Sequence, residues 1–150
     1  LATRQAQELG ANEALFLDAR ERRYIDEAGS ANIVVAMTGG RFVTPGSSAV
    51  LPSVTRRSIM ALAEKELGLK TEQRGIDLRG EIADFEEVAA CGTAAVISPV
   101  GKILVDGNWH SFYANGEEPG PITQKLYELL VGIQRGEIAD KYHWTHEVSI

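Results

Sequence analysis

The sequence has a single cysteine, Cys91, among 150 residues. That excludes an internal disulfide and any metal site built from several thiolates. A basic block is also missing. Fifteen Lys and Arg stand against 21 Asp and Glu, a net charge of -6, so nucleic acid is not an expected partner. No apolar run approaches the roughly 20 residues of a membrane-spanning helix, and no signal-peptide pattern is present. The expected compartment is the cytoplasm, with no membrane partner. Internal repeats and low-complexity linkers are absent as well. What is left, 44% hydrophobic and 24% charged residues, is the composition of one ordinary globular domain with a sizeable core.

The first ten residues lack a helix start. LATRQAQELG has apolar Leu1, Ala2, Ala6 and Leu9 at helical spacing and a stop at Gly10, yet no capping residue precedes it. The expectation is a chain whose natural N-terminal part lies upstream. Ala14 to Leu17 reads as a short strand. ARERRYIDEAGSA carries charge and one glycine, and Asn32 then leads into the strand IVVAM. Thr38-Gly39-Gly40 is a hairpin turn signal, and RFVTP is the return strand. LPSVTRRSIMALAEKELGL predicts a helix with Pro52 at its start, Ser53 or Thr55 as cap, Ile59, Leu62, Ala63 and Leu67 on one face, and Gly68 as stop. TEQRGIDL predicts a strand with Arg74, Ile76 and Leu78 alternating, and IADFEEVAA a short amphipathic helix. KILVDGNWHSF predicts a hairpin turning at Asp106-Gly107. GPITQKLYELLVGIQRGEI predicts a second helix, capped near Thr123 and ending around Gly136. The aromatic, polar tail DKYHWTHEVSI is expected to pack on the surface.

Three places have the residue types for chemistry. In Cys91-Gly92-Thr93-Ala94-Ala95-Val96-Ile97-Ser98-Pro99-Val100, tiny residues surround one hydroxyl before a β-branched stretch that stops at a proline. Small residues let backbone N–H groups approach an anion such as a phosphate or carboxylate; the same pattern also makes a tight turn into a buried strand. Leu51-Pro52-Ser53-Val54-Thr55 is a helix start, whose free N–H groups and dipole suit a phosphate as well as a plain cap. Glu27, in Asp26-Glu27-Ala28-Gly29-Ser30-Ala31-Asn32, is an acid at the mouth of a strand. It suits a cleft or a solvated loop.

Taken in order, E-A-G-S-A-N, T-P, LPSVTR, CGTAAVISPVGKI, GPITQKLYELLVGIQRGEIAD and a late Trp144 resemble the branched-chain amino acid aminotransferases. These are class IV, fold-type IV enzymes that use pyridoxal 5′-phosphate. The likeness runs from about Leu1 to Trp144 and matches only the C-terminal, larger domain of that family. It implies an α/β fold: a pseudo-barrel of mixed, largely antiparallel sheets with flanking helices. It implies transamination of leucine, isoleucine and valine with 2-oxoglutarate, in a homodimer. The alternatives are a D-amino acid aminotransferase or aminodeoxychorismate lyase on the same fold, or a non-catalytic binding module derived from this domain.

Residue roles follow from the resemblance alone. Glu27 matches the acid on the pyridine nitrogen, Ser30 a small or hydroxyl residue near the cofactor, and Leu51 the residue packed on the ring face. Val54 and Thr55 match the helix N-terminus at the phosphate. Thr93 matches a second phosphate contact, and the Thr93 and Ala94 N–H groups match those holding the substrate carboxylate. Ser53 stands where the family usually has glycine; serine is also a cap, so the effect is expected to be mild. The Schiff-base lysine, the phosphate-binding arginine and the small N-terminal domain match nothing here and are expected upstream of Leu1. No catalytic residue and no metal ligand is therefore assigned. Lys65, Lys70, Lys102, Lys125 and Lys141 read as surface residues. Ala95 and Ser98 stand where some members carry a redox cysteine pair, so no such switch is expected.

Overall fold

A computed structural model describes residues 1–148. Its elements are α1 (Ala2–Glu8), β1 (Leu15–Leu17), β2 (Ile25–Ala28), β3 (Ala31–Met37), β4 (Arg41–Pro45), α2 (Val54–Lys65), β5 (Lys70–Arg74), α3 (Leu78–Glu81), β6 (Phe85–Gly92), β7 (Val96–Val100), β8 (Lys102–Val105), β9 (Asn108–Ser111) and α4 (Pro121–Gln134). Seven strands form one mixed sheet, antiparallel except where β5 runs parallel to β4, and β8–β9 is a separate hairpin. The expected α/β class with largely antiparallel sheets and flanking helices is what the chain adopts. None of the described helices is long and apolar enough to cross a membrane.

Strand β3 is the axis. One edge pairs along its length with β6; the other is shared, by β2 at Ala31 and Asn32 and by β4 at Val35 to Met37. Both faces of β3 are buried, which its unbroken apolar run requires. Ile33, Val35 and Met37 pack with Ile25, Val43, Ile76 and the hairpin residues Ile103 and Val105. Val34 and Ala36 pack with Phe42, Ile59 and Leu62 of α2, and Leu126 and Leu130 of α4. Where β2 and β4 part, the Thr44 hydroxyl donates to the Ile33 carbonyl at 2.8 Å.

Several sequence expectations are corrected. IADFEEVAA is not a helix: after one 3-10 turn over Ile82–Asp84 it becomes β6, a central strand. The cause is a bulge. Ala36 faces Glu87 and Met37 faces Phe85, so one extra residue sits in β6. Phe85 and Val88 thereby reach the same core although three apart, and that spacing imitates a helix. ARERRYIDEAGSA contains a strand, β2, which the charge concealed. The strand expected over TEQRGIDL stops at Arg74; Ile76 is buried in the core, and Leu78 opens α3. Pro99 lies inside β7 rather than ending it, on a strand whose one partner is β6, where a missing N–H is harmless.

Helix α4 starts earlier than Thr123. Its N-cap is Gly120 with Pro121 in the first turn, and buried Glu87 of β6 accepts from the N–H groups of Ile122 (3.0 Å) and Thr123 (2.8 Å). The aromatic tail docks as expected: Tyr142 stacks on Trp144 and its hydroxyl donates to Glu66. Ser149 and Ile150, the end of that tail, lie outside the described residues.

Candidate active site

Sheet topology brings the sequence-predicted residues to one end. β2, β4 and β6 finish there, at Ala28, Pro45 and Gly92; β3 and β7 begin there, at Ala31 and Val96. The registers form a row across four strands: Glu27 opposite Asn32, Asn32 opposite Cys91, Cys91 opposite Ile97. Opposed residues share a face, and Cys91 packs in the core beneath α2 and α4. Glu27 is therefore half-buried on the helix-covered face. A bulge re-aims it: Leu15 pairs with Ala28 and Leu17 with Ile25, leaving Asp26 and Glu27 opposite one residue of β1. Ser30 is exposed in the two-residue turn between β2 and β3, where Gly29 takes the positive φ (+56°) that such turns demand.

The N-terminus of α2 lies at the same sheet end, one loop after Pro45. Ser53 is its N-cap, and its Oγ accepts from the Arg56 N–H at 3.1 Å. The unusual serine thus does the capping anticipated for it. The Arg57 N–H reaches the Ser53 carbonyl at 3.2 Å. Among the described residues, the N–H groups of Val54 and Thr55 have no protein acceptor. These two unpaired donors sit at the positive end of the helix dipole. Thr55 is half-buried, while Val54 and Leu51 are exposed at 67% and 72%, two large apolar side chains with no protein cover.

The third part is the turn Gly92–Val96 between β6 and β7. Thr93, Ala94 and Ala95 are exposed. A Cβ on Gly92 would meet no atom within 4 Å, so open space lies beside this backbone. Val96 has φ of +60°, a left-handed conformation that a β-branched side chain resists, and such strain gathers at functional turns. Cys91, just before the turn, is buried, and burial pushes its thiol up to about 12; it is a core residue and no nucleophile. The five lysines named above are all exposed.

Sequence reasoning missed two polar residues here. Asn32 is 5% exposed and its Oδ1 has no hydrogen-bond partner. A polar residue at the head of an otherwise apolar strand was the available signal. Arg56 is buried in the first turn of α2. It lies three residues before Ile59, on the helix's apolar face, and that periodicity could have drawn attention to it.

The family model for amino-transferase class IV matches residues 1–103. A branched-chain-amino-acid aminotransferase of Helicobacter pylori is 43% identical over 99% of the chain and 42% of its own length. One from Mycolicibacterium smegmatis is 42% identical over 96% of the chain and 41% of its own. Among solved structures, the branched-chain amino acid aminotransferase of Escherichia coli superposes with a TM-score of 0.78 at 31% identity, over 96% of this chain and 45% of that one. That of Thermobaculum terrenum, in its PLP-form, gives 0.75 at 27%, over 92% and 42%. The chain thus spans less than half the length of the relatives it matches. The matched segment runs from α1 through the Gly92–Val96 turn and into β8, and so takes in each part of the sheet end described above: this chain belongs to the class IV aminotransferase family.

Proposed function

We propose that this chain is the C-terminal, cofactor-binding part of a pyridoxal-phosphate-dependent branched-chain amino acid aminotransferase, acting within a longer polypeptide. The observation that carries the proposal is the pair of unpaired N–H donors on Val54 and Thr55. They sit at the sheet end that also carries Glu27 and the Thr93 turn. The residues fit the cofactor. Two amide donors, the hydroxyls of Thr55 and Thr93 and a helix N-terminus suit a phosphate dianion. Exposed Leu51 offers an apolar surface to an aromatic ring. A carboxylate, Glu27, suits a protonated ring nitrogen.

Bound there, pyridoxal phosphate supplies an electron sink for the charge left when a substrate α-proton is removed. Glu27 keeps the ring-nitrogen proton in place. The α2 N-terminus and Thr93 fix the phosphate and with it the ring. The Thr93 and Ala94 N–H groups hold the substrate carboxylate, and Ser30 borders the cofactor. The lysine that moves the α-proton and the small domain that closes over the substrate belong to residues beyond these 150. The choice of branched-chain amino acids, leucine, isoleucine and valine, follows the relatives' names, and 2-oxoglutarate as acceptor follows the family resemblance. A cytoplasmic homodimer completes the proposal.

The test is glutamate formation from 2-oxoglutarate by the full-length polypeptide, with leucine and D-alanine as rival donors, beside pyruvate release from aminodeoxychorismate. Leucine should lead. Turnover of D-alanine or aminodeoxychorismate in preference to leucine refutes the substrate assignment; failure to bind pyridoxal phosphate at all leaves the binding-module alternative.

A further inference from the structure

Arg57 and Lys65 of α2 are exposed, as cations on a surface helix should be, but Arg56 is 6% exposed. Buried charges are normally paired. This one is not: none of the ion pairs among the described residues involves it. Its guanidinium makes one long hydrogen bond, 3.5 Å from Nη1 to the Pro45 carbonyl. A guanidinium without a counter-ion, in the first turn of a helix that already presents positive charge, is a costly arrangement.

Its position says what could repay that cost. Arg56 directly follows Val54 and Thr55, whose N–H groups are unpaired. It reaches inward to the end of β4 at Pro45, and its positive charge favours the thiolate of Cys91, which packs in the core with α2. Cys91 is two residues before Thr93. One buried cation therefore lies behind the α2 N-terminus, at the sheet end that also carries the Gly92–Val96 turn. We propose that Arg56 is a positioning residue for the cofactor phosphate: it holds the α2 N-terminus to the end of β4 and supplies from behind it the positive charge that a dianion needs. Its charge is balanced only when the anion is present. This rests on the phosphate site proposed above.

Two consequences separate it from a merely structural arginine. An apolar replacement of similar length removes an unbalanced charge, so the cofactor-free protein should keep or gain stability. The same replacement should weaken a phosphorylated ligand and spare an unphosphorylated one. The experiment uses the full-length polypeptide, with Arg56→Met and Arg56→Lys beside the parent. Binding of pyridoxal phosphate and of pyridoxal is followed by absorbance, and thermal unfolding is followed with and without pyridoxal phosphate. Arg56→Met should lose about tenfold or more in pyridoxal phosphate affinity, change pyridoxal binding by less than about twofold, and unfold without cofactor at or above the parent's temperature. Arg56→Lys, which keeps the charge, should recover most of the lost affinity. Equal weakening of both ligands overturns the proposal, as does a cofactor-free Arg56→Met protein that melts well below the parent or does not fold. A parent that binds the two ligands equally refutes the phosphate site itself, and the role of Arg56 falls with it.

Discussion

Replacing Glu87 by alanine should be among the most damaging single changes to this fold outside its apolar core. Glu87 is 4% exposed, in the middle of β6, and its two carboxylate oxygens accept from the first free N–H groups of α4. Truncation leaves both donors without a partner. A buried orphan donor costs about 1–3 kcal/mol, and bonds to a charged acceptor lie at the upper end. The Thr123 donor is buried and the Ile122 donor only partly so. The expected loss is about 3 kcal/mol for Glu87→Ala. It is about 1–2 kcal/mol for Glu87→Gln, which keeps one accepting oxygen but no charge at the helix dipole. The close seat shows in Gly120: a Cβ there would overlap the Glu87 carboxylate. Gly120→Ala should therefore be severe in the parent and mild in Glu87→Ala, a coupling of about 1–3 kcal/mol in a double-mutant cycle. Urea denaturation of the parent, the three single variants and the double variant, followed by far-UV circular dichroism, measures all of this. A Glu87→Ala loss under about 0.5 kcal/mol, the range of a plain surface change, refutes the capping role. Equal costs for Gly120→Ala in both backgrounds refute the packing one.

In the full-length polypeptide, Thr93→Ala should weaken cofactor binding by about tenfold, the effect of one lost hydrogen bond to a charged group, as read by equilibrium dialysis. Glu27→Gln should leave binding largely intact but slow leucine turnover sharply, since an amide cannot hold a ring proton; parental turnover would show that Glu27 has another role. Ser53→Ala should cost about 1 kcal/mol in urea denaturation, the ordinary value of an N-cap. The backbone N–H groups of Arg23, Glu21 and Tyr24 pull the Asp18 carboxyl down to about 2, from 3.8. Its contribution is therefore complete above pH 3.8 and is lost as pH falls through about 2, and Asp18→Asn should flatten that acid limb in a pH series of unfolding midpoints. The Cys91 thiol should react with a disulfide reagent at the rate of global unfolding, measured against a denaturant series.

The parts legible in the sequence were those set by local chemistry. Ser53 caps α2, and Asp106-Gly107 turns the β8–β9 hairpin with both residues at positive φ. The tertiary parts were hidden. Two bulges put Phe85 with Val88, and Asp26 beside Glu27, out of strict alternation, so β6 reads as a helix, and β2, inside a charged stretch, shows no strand pattern. Of the proposed site, Glu27, Ser30, Leu51, Val54, Thr55, Thr93 and Ala94 are legible through their resemblance to a family. Arg56 and Glu87 are not. A buried charge is explained by what surrounds it, and theirs comes from other elements: the end of β4 for Arg56 and the start of α4 for Glu87.

The forked pairing of β3 has a consequence for how the chain is made. Ala31 and Asn32 meet β2, and Val35 to Met37 meets β4, within a few residues, but the other edge of β3 waits for β6, about 50 residues later. During synthesis, IVVAM therefore emerges as a strand apolar on both faces with one edge unpaired, the type of segment that joins strands of other chains. It stays so until residue 92 has cleared the ribosome. Expression limited by aggregation should thus respond to changes that speed β3–β6 pairing, even where they leave the stability of the finished fold untouched.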